Sequence, residues 1–469
     1  MKTEPPLHIH LLGICGAGMA ALAGILKELG HRVTGSDEHV YPPMSTFLEG
    51  LGIPIQNGYS PGNLEPAPDV AVVGNVIRRE NPEAQAVLEQ NLPRLSLPQA
   101  LNRFLVGNRH SIVVTGTHGK TTTTSLIAWL LQATGRDPGF MVGGIAKNFQ
   151  SNYRVGQGPY VVLEGDEYDT AFFDKRPKFI HFQPALAVLT SVEFDHADIY
   201  ADLDAVRHAF EDFLTQAPVA ATILACGDAP LVREVCRRAV AQVEYYGLGG
   251  EVTWRAVDIK PTNRGASFTL LKDGAPWGDF FVPLLGAHNV ANATAALAVM
   301  AKVGASPAEL KTALHTFQGV KRRLETVCEH RDILVLDDFA HHPTEVAATL
   351  AAVRAGYPGR RLVAAFEPRT NTSRRKIFQE AYVNALKDAD LILVREPPDL
   401  WKAPEDEQFS SRQLVQDLIA RGQKAFYFPA TDHLLHSLLK GLKPNDAVVV
   451  MSNGSFDGLV PHLCKALGG

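Results

Sequence analysis

Ser111-Ile-Val-Val-Thr-Gly-Thr-His-Gly-Lys-Thr-Thr-Thr-Thr124 runs from a β-branched strand, through a loop carrying two glycines, to Lys-Thr and into a helix. That order builds a nucleoside triphosphate site, because loop and helix N-terminal N–H groups face phosphate oxygens, a lysine reaches the outer phosphates and a hydroxyl holds Mg²⁺. Gly116, Thr117, His118, Gly119, Lys120, Thr121 and Thr122 are therefore the expected phosphate ligands, with ATP or GTP as the nucleotide. The spacing Gly116-x-x-Gly119-Lys120-Thr121 is shorter than the usual G-x-x-x-x-G-K-[ST], so the strand and helix flanks carry the reading.

Two acidic strand ends follow. Tyr160-Val-Val-Leu-Glu164-Gly-Asp-Glu-Tyr-Asp169 leaves a buried-type strand about forty residues after Lys120, and Glu164 is expected to face the Mg²⁺ beside Thr121. Thr190-Ser-Val-Glu-Phe-Asp195-His196-Ala-Asp198 ends the next strand, which makes His196 a metal or substrate ligand candidate. Gly286-Ala-His-Asn289-Val-Ala-Asn292 opens an Ala-rich helix with two amides on one face. An amide offers a donor and an acceptor to an adenine edge, and helix capping by Asn289 explains the spacing equally well.

Further along, Lys321-Arg322-Arg323 supplies cations for a phosphate, and Leu336-Asp337-Asp338-Phe-Ala-His341-His342-Pro343 is a strand end rich in acids and imidazoles. Adjacent histidines without a third ligand at helical spacing make a poor zinc site. Glu367-Pro-Arg369-Thr-Asn371-Thr372 and Ser452-Asn453-Gly454 end two more strands with groups suited to a small charged substrate. Near the start, Gly13-Ile-Cys15-Gly16-Ala17-Gly18-Met19 resembles G-x-G-x-x-G, with Asp37 closing the next strand where a ribose-binding acid often sits. A dinucleotide enzyme, a nucleotide-sugar binder and a structural tight turn all fit that cluster. The second phosphate site makes a nucleotide-linked substrate the more attractive.

Strand-like runs alternate with helical ones in three successive α/β units, interrupted near Val252–Val282 by β-branched runs that suggest an antiparallel excursion. The expected domains are 1–107, 108–319 and 320–469. At 469 residues and net charge -5, the chain has core enough for several domains and no basic field for nucleic acid. Its five widely spaced cysteines point to a reducing cytoplasm and to buried, unpaired thiols. Glycines interrupt the apolar run near the N-terminus, so neither a signal peptide nor a membrane span is expected, and the protein should be cytoplasmic.

Gly-Thr-His-Gly-Lys-Thr-Thr, Glu164-x-Asp-Glu-x-Asp169, Asp195-His196, His288-Asn-x-x-Asn-Ala, Lys321-Arg-Arg and Asp337-Asp-x-x-His-His-Pro343 occur in that order. Together they resemble the Mur ligase family of peptidoglycan synthesis. The resemblance implies a Rossmann-like N-terminal domain for the UDP-sugar, a central P-loop ATPase and a Rossmann-like C-terminal domain that brings the amine. It implies that ATP, with Mg²⁺, converts the lactyl carboxylate of UDP-N-acetylmuramate to an acyl phosphate that an amine attacks. Lys120 and Thr121 would hold phosphate and Mg²⁺, Glu164 and His196 metal, and Asn289 and Asn292 the adenosine. Arg322, with Arg323 as the alternative, would reach the γ-phosphate, with Asp337 and His341 near the nucleotide or the amine.

For substrates, the resemblance points to Cys15, Gly16, Ala17, Gly18, Met19, Asp37 and Asn75 on the UDP side. On the amine side it points to His341, Arg369, Asn371, Ser452 and Asn453. Within the family, Tyr41-Pro-Pro-Met-Ser-Thr46, Asp166-Glu-Tyr-Asp169 and Ala171-Phe-Phe-Asp-Lys-Arg176 resemble the members that take a murein tripeptide, which implies L-alanyl-γ-D-glutamyl-meso-diaminopimelate as the amine and not free L-alanine. A monomer or weak homo-oligomer is expected. Several family members carry a carbamylated lysine where this chain has Phe210.

Overall fold

A computed structural model of the chain describes residues 5–468. It divides into two compact units, one through Val192 with Arg207–Tyr245 and Ala295–Ala305, the other formed by Glu193–Val206, Tyr246–Thr294 and the segment from Ser306 onward.

The first unit opens with a five-stranded parallel sheet in the order Ile55–Asn57, Arg32–Asp37, His8–Leu12, Val70–Val73, Arg94–Ser96. Val70–Val73 is apolar throughout and fully buried, and His8–Leu12 is buried from Ile9 onward. One buried carboxylate ties it together. Glu83 accepts from Ser36 Oγ at 2.6 Å, Asn63 Nδ2 at 2.7 Å and the backbone N–H of Ser60 at 3.2 Å, and pairs with His10 Nε2 at 2.8 Å. Burial opposes ionisation of Glu83, but those hydrogen bonds prevail and hold it below the usual glutamate range.

A second sheet of the same unit runs Thr222–Cys226, Leu186–Leu189, His110–Thr115, Tyr160–Glu164, Gly139–Ala146, Ser151–Arg154. Its strands are parallel except the last, which turns back as a hairpin. The phosphate-loop strand therefore lies between the two strands that end at Glu164 and just before Thr190. Phe210 is fully buried and stacks on Phe179 at 5.1 Å, so it belongs to the core.

In the second unit, Trp254–Thr262, Gly265–Lys272 and Ala275–Val282 form the expected antiparallel meander. A six-stranded sheet follows, ordered Glu325–His330, Ile333–Asp338, Asp446–Met451, Arg361–Phe366, Leu391–Arg395, Ala425–Phe428. Only its first strand is antiparallel. Apolar clusters cover both faces. The carboxyl ends of its parallel strands consequently bring Asp337, Ser452, Glu367 and Arg395 to one edge, the usual place for ligand sites in such sheets.

The cysteines correct the sequence reading. Cys328, on the antiparallel edge strand, and Cys464, in the helix Leu459–Leu467, are joined by a disulfide across 136 residues. Cys15 and Cys226 are partly exposed, and of the unpaired three only Cys236 is buried. The spacing hid the pair because the strand and helix meet only after the sheet has formed. Alkylation of denatured protein is expected to label three cysteines before reduction and five after, as read by intact mass. Five before reduction would refute the bond.

Candidate active site

The phosphate loop is shaped by two left-handed glycines, Gly116 at φ 122° and Gly119 at φ 80°. A side chain at Gly116 would also sit 2.7 Å from the Ser191 nitrogen, so only glycine fits. The loop is clamped from the neighbouring strand end. Thr117 N–H donates to Ser191 O at 3.0 Å, His118 N–H to Ser191 Oγ at 2.9 Å, and Thr190 Oγ1 to the Thr115 and His118 carbonyls at 3.1 and 2.5 Å. The helix Lys120–Ala133 then begins with first-turn N–H groups that have no partner within the helix, which creates an anion site.

Lys120 Nζ donates to Gly116 O at 2.5 Å, Thr117 O at 2.9 Å and Glu167 Oε1 at 3.1 Å. Burial alone would lower its pKa, but Glu167, Glu164 and Asp166 outweigh burial and raise it, so the ammonium stays charged. Beside it, Thr121 Oγ1 donates to Glu164 Oε1 at 2.9 Å, and Gly143 N–H to Glu164 Oε2 at 2.7 Å. A hydroxyl and a carboxylate at the head of the loop form the hard-oxygen donor set that Mg²⁺ prefers. Lys120, Thr121 and Glu164 are thus brought together as expected from their motifs.

Glu164 also lines a cavity of about 140 Å³. Ala17 and Gly18 from the first glycine cluster, Leu97, Pro98, Met141 and Lys178 complete much of its wall. Gly18 is tight there, a Cβ falling 3.3 Å from Leu97 Cδ2. Gly16 precedes and Met19 lies within the helix that starts at Ala17, Met19 being buried. Asp37 lies under the same glycine turn. It accepts from the Cys15 and His39 N–H groups at 2.9 and 3.0 Å, so it shapes the turn. Burial, then the Asp37 charge, pushes the Cys15 thiol up to about 11. Asn75 follows the strand Val70–Val73 and is exposed.

The second unit gathers the remaining candidates in three groups. Asn289 and Asn292 form a buried amide pair, Asn292 Nδ2 donating to Asn289 Oδ1 at 3.1 Å and Asn289 Nδ2 to Leu285 O at 2.8 Å. Asn289 therefore bonds backward to a carbonyl rather than capping the helix. Burial pushes neighbouring His288 down to about 4, with Glu345 opposing and Arg323 assisting.

Arg322, at φ 59°, donates through Nε to Asp337 at 3.2 Å and through Nη2 to the Ser452 and Gly454 carbonyls, both at 2.6 Å. Asp338 anchors this basic turn by accepting from the Leu324 and Ala340 N–H groups, each at 2.7 Å. Its burial raises it to about 6. Ser452 Oγ donates to the fully buried Glu367 at 2.6 Å, and Arg395 pairs with Glu367 at 3.1 Å. Arg369 lies 3.8 Å from Glu367 and covers Gly454, with Asn453 between Ser452 and Gly454.

In the third group, Asp195 meets His341 at 3.6 Å, and His341 meets Glu345 at 3.4 Å. Thr344 Oγ1 donates to Glu193 at 2.6 Å and Asn371 Nδ2 to Asp198 at 2.9 Å. His196 adopts φ 55° and donates its N–H to Asp195 Oδ1 at 2.7 Å. Sequence reasoning missed the Asp195–His341 pair, the Asp338 anchor, the Thr190–Ser191 clamp and the Lys120–Glu167 pair. For the last, Glu167 stood in the quoted acidic cluster, and its proximity to Lys120 follows once their strands are adjacent.

Residues 8–109, 114–300 and 322–454 match, in turn, the Mur ligase family catalytic domain, the Mur ligase middle domain and the Mur ligase glutamate ligase domain. The chain is 39% identical to the UDP-N-acetylmuramate–L-alanyl-γ-D-glutamyl-meso-2,6-diaminoheptandioate ligase of Escherichia coli K12, over 98% of each chain. Identity to the UDP-N-acetylmuramate–L-alanine ligase of Endomicrobium trichonymphae is 34%, over 95% of this chain and 96% of that one. The crystal structure of a murein peptide ligase from Psychrobacter arcticus superposes with a TM-score of 0.72 at 36% identity, covering 99% of both chains. Among the described residues, no helix is long and apolar enough to cross a membrane.

Two outcomes test the geometry. Lys120→Met should lower turnover on the order of 10³-fold and also melt earlier, because Glu167, only 3% exposed, loses the Lys120 ammonium. Adding Glu167→Gln should restore the melting temperature without restoring turnover, and recovery of turnover would contradict the assignment. The second concerns pH. Burial opposes the charge on Asp195, yet its hydrogen bond and the nearby imidazoles hold it well below the usual range; burial likewise opposes the charge on His341, yet Glu345 and Asp195 raise it.

The Asp195 contribution is complete above the ordinary carboxylate range and lost as pH falls through its depressed value. That of His341 is complete below about 6.5 and lost as pH rises through its raised value. The melting-temperature gap between wild type and Asp195→Asn, measured in EDTA, should therefore be widest near pH 5–6 and narrow in alkali. A gap independent of pH would refute the pairing.

Proposed function

The chain belongs to the Mur ligase family, and from that premise we propose that it joins UDP-N-acetylmuramate to L-alanyl-γ-D-glutamyl-meso-diaminopimelate at the expense of ATP. The carrying observation is the meeting of Thr121 and Glu164 at 2.9 Å beside a charged Lys120 on the shortened loop. The greater identity to the tripeptide ligase than to the L-alanine ligase supports the choice of amine. So does the stretch Asp166-Glu-Tyr-Asp-Thr-Ala-Phe-Phe-Asp-Lys-Arg176.

In this reading residues 1–107 hold UDP-N-acetylmuramate, 108–319 hold ATP and 320–469 hold the amine. A carboxylate is a poor electrophile, and ATP with Mg²⁺ supplies the phosphoryl group and charge neutralisation that convert it to an acyl phosphate. The N–H groups of Gly116 and of Gly119 to Thr122, with the Lys120 ammonium, bind phosphate oxygens, while those of Thr117 and His118 are held by Ser191. Thr121, Glu164 and His196 hold the metal, Asn289 and Asn292 orient the adenosine, and Arg322 with its partner Asp337 serves the γ-phosphate. The glycine turn from Cys15 to Met19, with Asp37 and Asn75, receives the UDP-sugar. His341, Arg369, Asn371, Ser452 and Asn453 receive the peptide, whose carboxylates call for the arginine. The work belongs to peptidoglycan recycling in the cytoplasm.

Phosphate release measured with ATP, Mg²⁺, UDP-N-acetylmuramate and each amine in turn tests the choice. Turnover with the tripeptide should exceed that with L-alanine by at least two orders of magnitude. Turnover with L-alanine and none with tripeptide would overturn it.

A further inference from the structure

The cavity beside Glu164 contains a cation that none of the roles above uses. Among the described residues Lys178 is the one lysine or arginine on its wall, where it stands with two carboxylates, Glu164 and Asp166. Glu164 is committed to Thr121 and Gly143, and Lys120 is committed to two loop carbonyls and Glu167. Lys178 donates to Asp166 Oδ2 at 2.8 Å, its one side-chain hydrogen bond among the described residues, and lies 5.6 Å from the Tyr168 ring centroid. Since an ammonium has three donors, it can retain Asp166 and still serve a second carboxylate.

The backbone fixes its place. Lys178 N–H donates to Tyr168 O at 3.0 Å, after the hairpin Asp169–Ala171 and Asp174–Pro177. The next residue, Phe179, is fully buried against Phe210 and Phe213, with ring centroids 5.1 and 5.4 Å away. The ammonium is therefore preorganised, only 15% of the side chain being exposed. The rest of the cavity is largely apolar, from Leu97, Pro98, Leu101, Met141 and Phe182. At about 140 Å³ it suits a short apolar fragment ending in a carboxylate and not a whole sugar nucleotide.

We propose that Lys178 is a positioning and specificity residue that pairs with the lactyl carboxylate of UDP-N-acetylmuramate and holds it beside the Thr121–Glu164 end of the phosphate loop. The inference rests on the ligase reading above. Without a cation, a substrate carboxylate would enter a cavity already holding two carboxylates, a like-charge arrangement that disfavours binding. With Lys178 present, the acid is distinguished from an otherwise similar sugar nucleotide that lacks it.

Calorimetric binding of UDP-N-acetylmuramate and UDP-N-acetylglucosamine, without ATP, tests this directly because the second ligand lacks the lactyl group. Lys178→Met should weaken UDP-N-acetylmuramate binding on the order of ten-fold and leave UDP-N-acetylglucosamine binding unchanged. Lys178→Arg should recover most of the loss, and in turnover the KM for UDP-N-acetylmuramate should rise while that for ATP stays put. Equal loss for both ligands, or unchanged discrimination in Lys178→Met, would overturn the inference. Equal binding of the two ligands by wild type would overturn it too, while tripeptide-dependent phosphate release would still decide the ligase reading separately.

Discussion

A positive charge held inside a shortened loop is the constraint on which the active-site region depends. Lys120 must remain protonated to meet phosphate, yet burial works against its charge. The surrounding acids resolve the conflict. Glu167 pairs with the ammonium at 2.9 Å, and Glu164 and Asp166 add to the field. The same acids sit where a strand ends beside the loop strand, so the parallel pairing of His110–Thr115 with Tyr160–Glu164 creates the electrostatics. On the opposite side, Leu186–Leu189 delivers Thr190 and Ser191, whose hydrogen bonds hold the loop open at its glycines. The shortened spacing thus works through two neighbouring strand ends.

The same logic extends along the strand ends of the other sheets. Asp37 closes the first glycine turn by accepting from Cys15, a task that explains an acid at that position without any ribose. Asp338 does likewise for the turn bearing Arg322. Glu367, fully buried, collects Ser452 and Arg395 at the edge of the C-terminal sheet. Carboxylates at strand ends in this chain therefore do two kinds of work. Some organise backbone and arginines, and Glu164, bonded to a hydroxyl at the head of the phosphate loop, is the one we propose as a metal ligand.

Much of this is legible in the sequence. The Val-Val-Leu run of Tyr160–Glu164 is what a buried parallel strand requires, and the strand is there. The three-domain α/β reading and its antiparallel excursion rested on the same periodicity. What stayed hidden depends on strand order and on long-range closure. The hairpin Asp169–Ala171 with Asp174–Pro177 is short and polar, so it carries little alternation. The Ser191 clamp needs knowledge that Leu186–Leu189 lies beside the loop strand. Cys328 and Cys464 meet only through the folded sheet. Lys178 lies two residues past Arg176, and nothing in the sequence around it announces a cavity.

In the proposed reaction ATP held by the loop phosphorylates a carboxylate, releasing ADP, before the amine attacks. Isotope transfer follows that step atom by atom. UDP-N-acetylmuramate carrying ¹⁸O in both lactyl carboxylate oxygens, incubated with ATP, Mg²⁺ and tripeptide, should yield inorganic phosphate bearing one ¹⁸O per amide formed. One labelled oxygen attacks phosphorus, and it leaves with the phosphate when nitrogen displaces it. Label appearing in AMP, or unlabelled phosphate accompanying amide formation, would contradict the account.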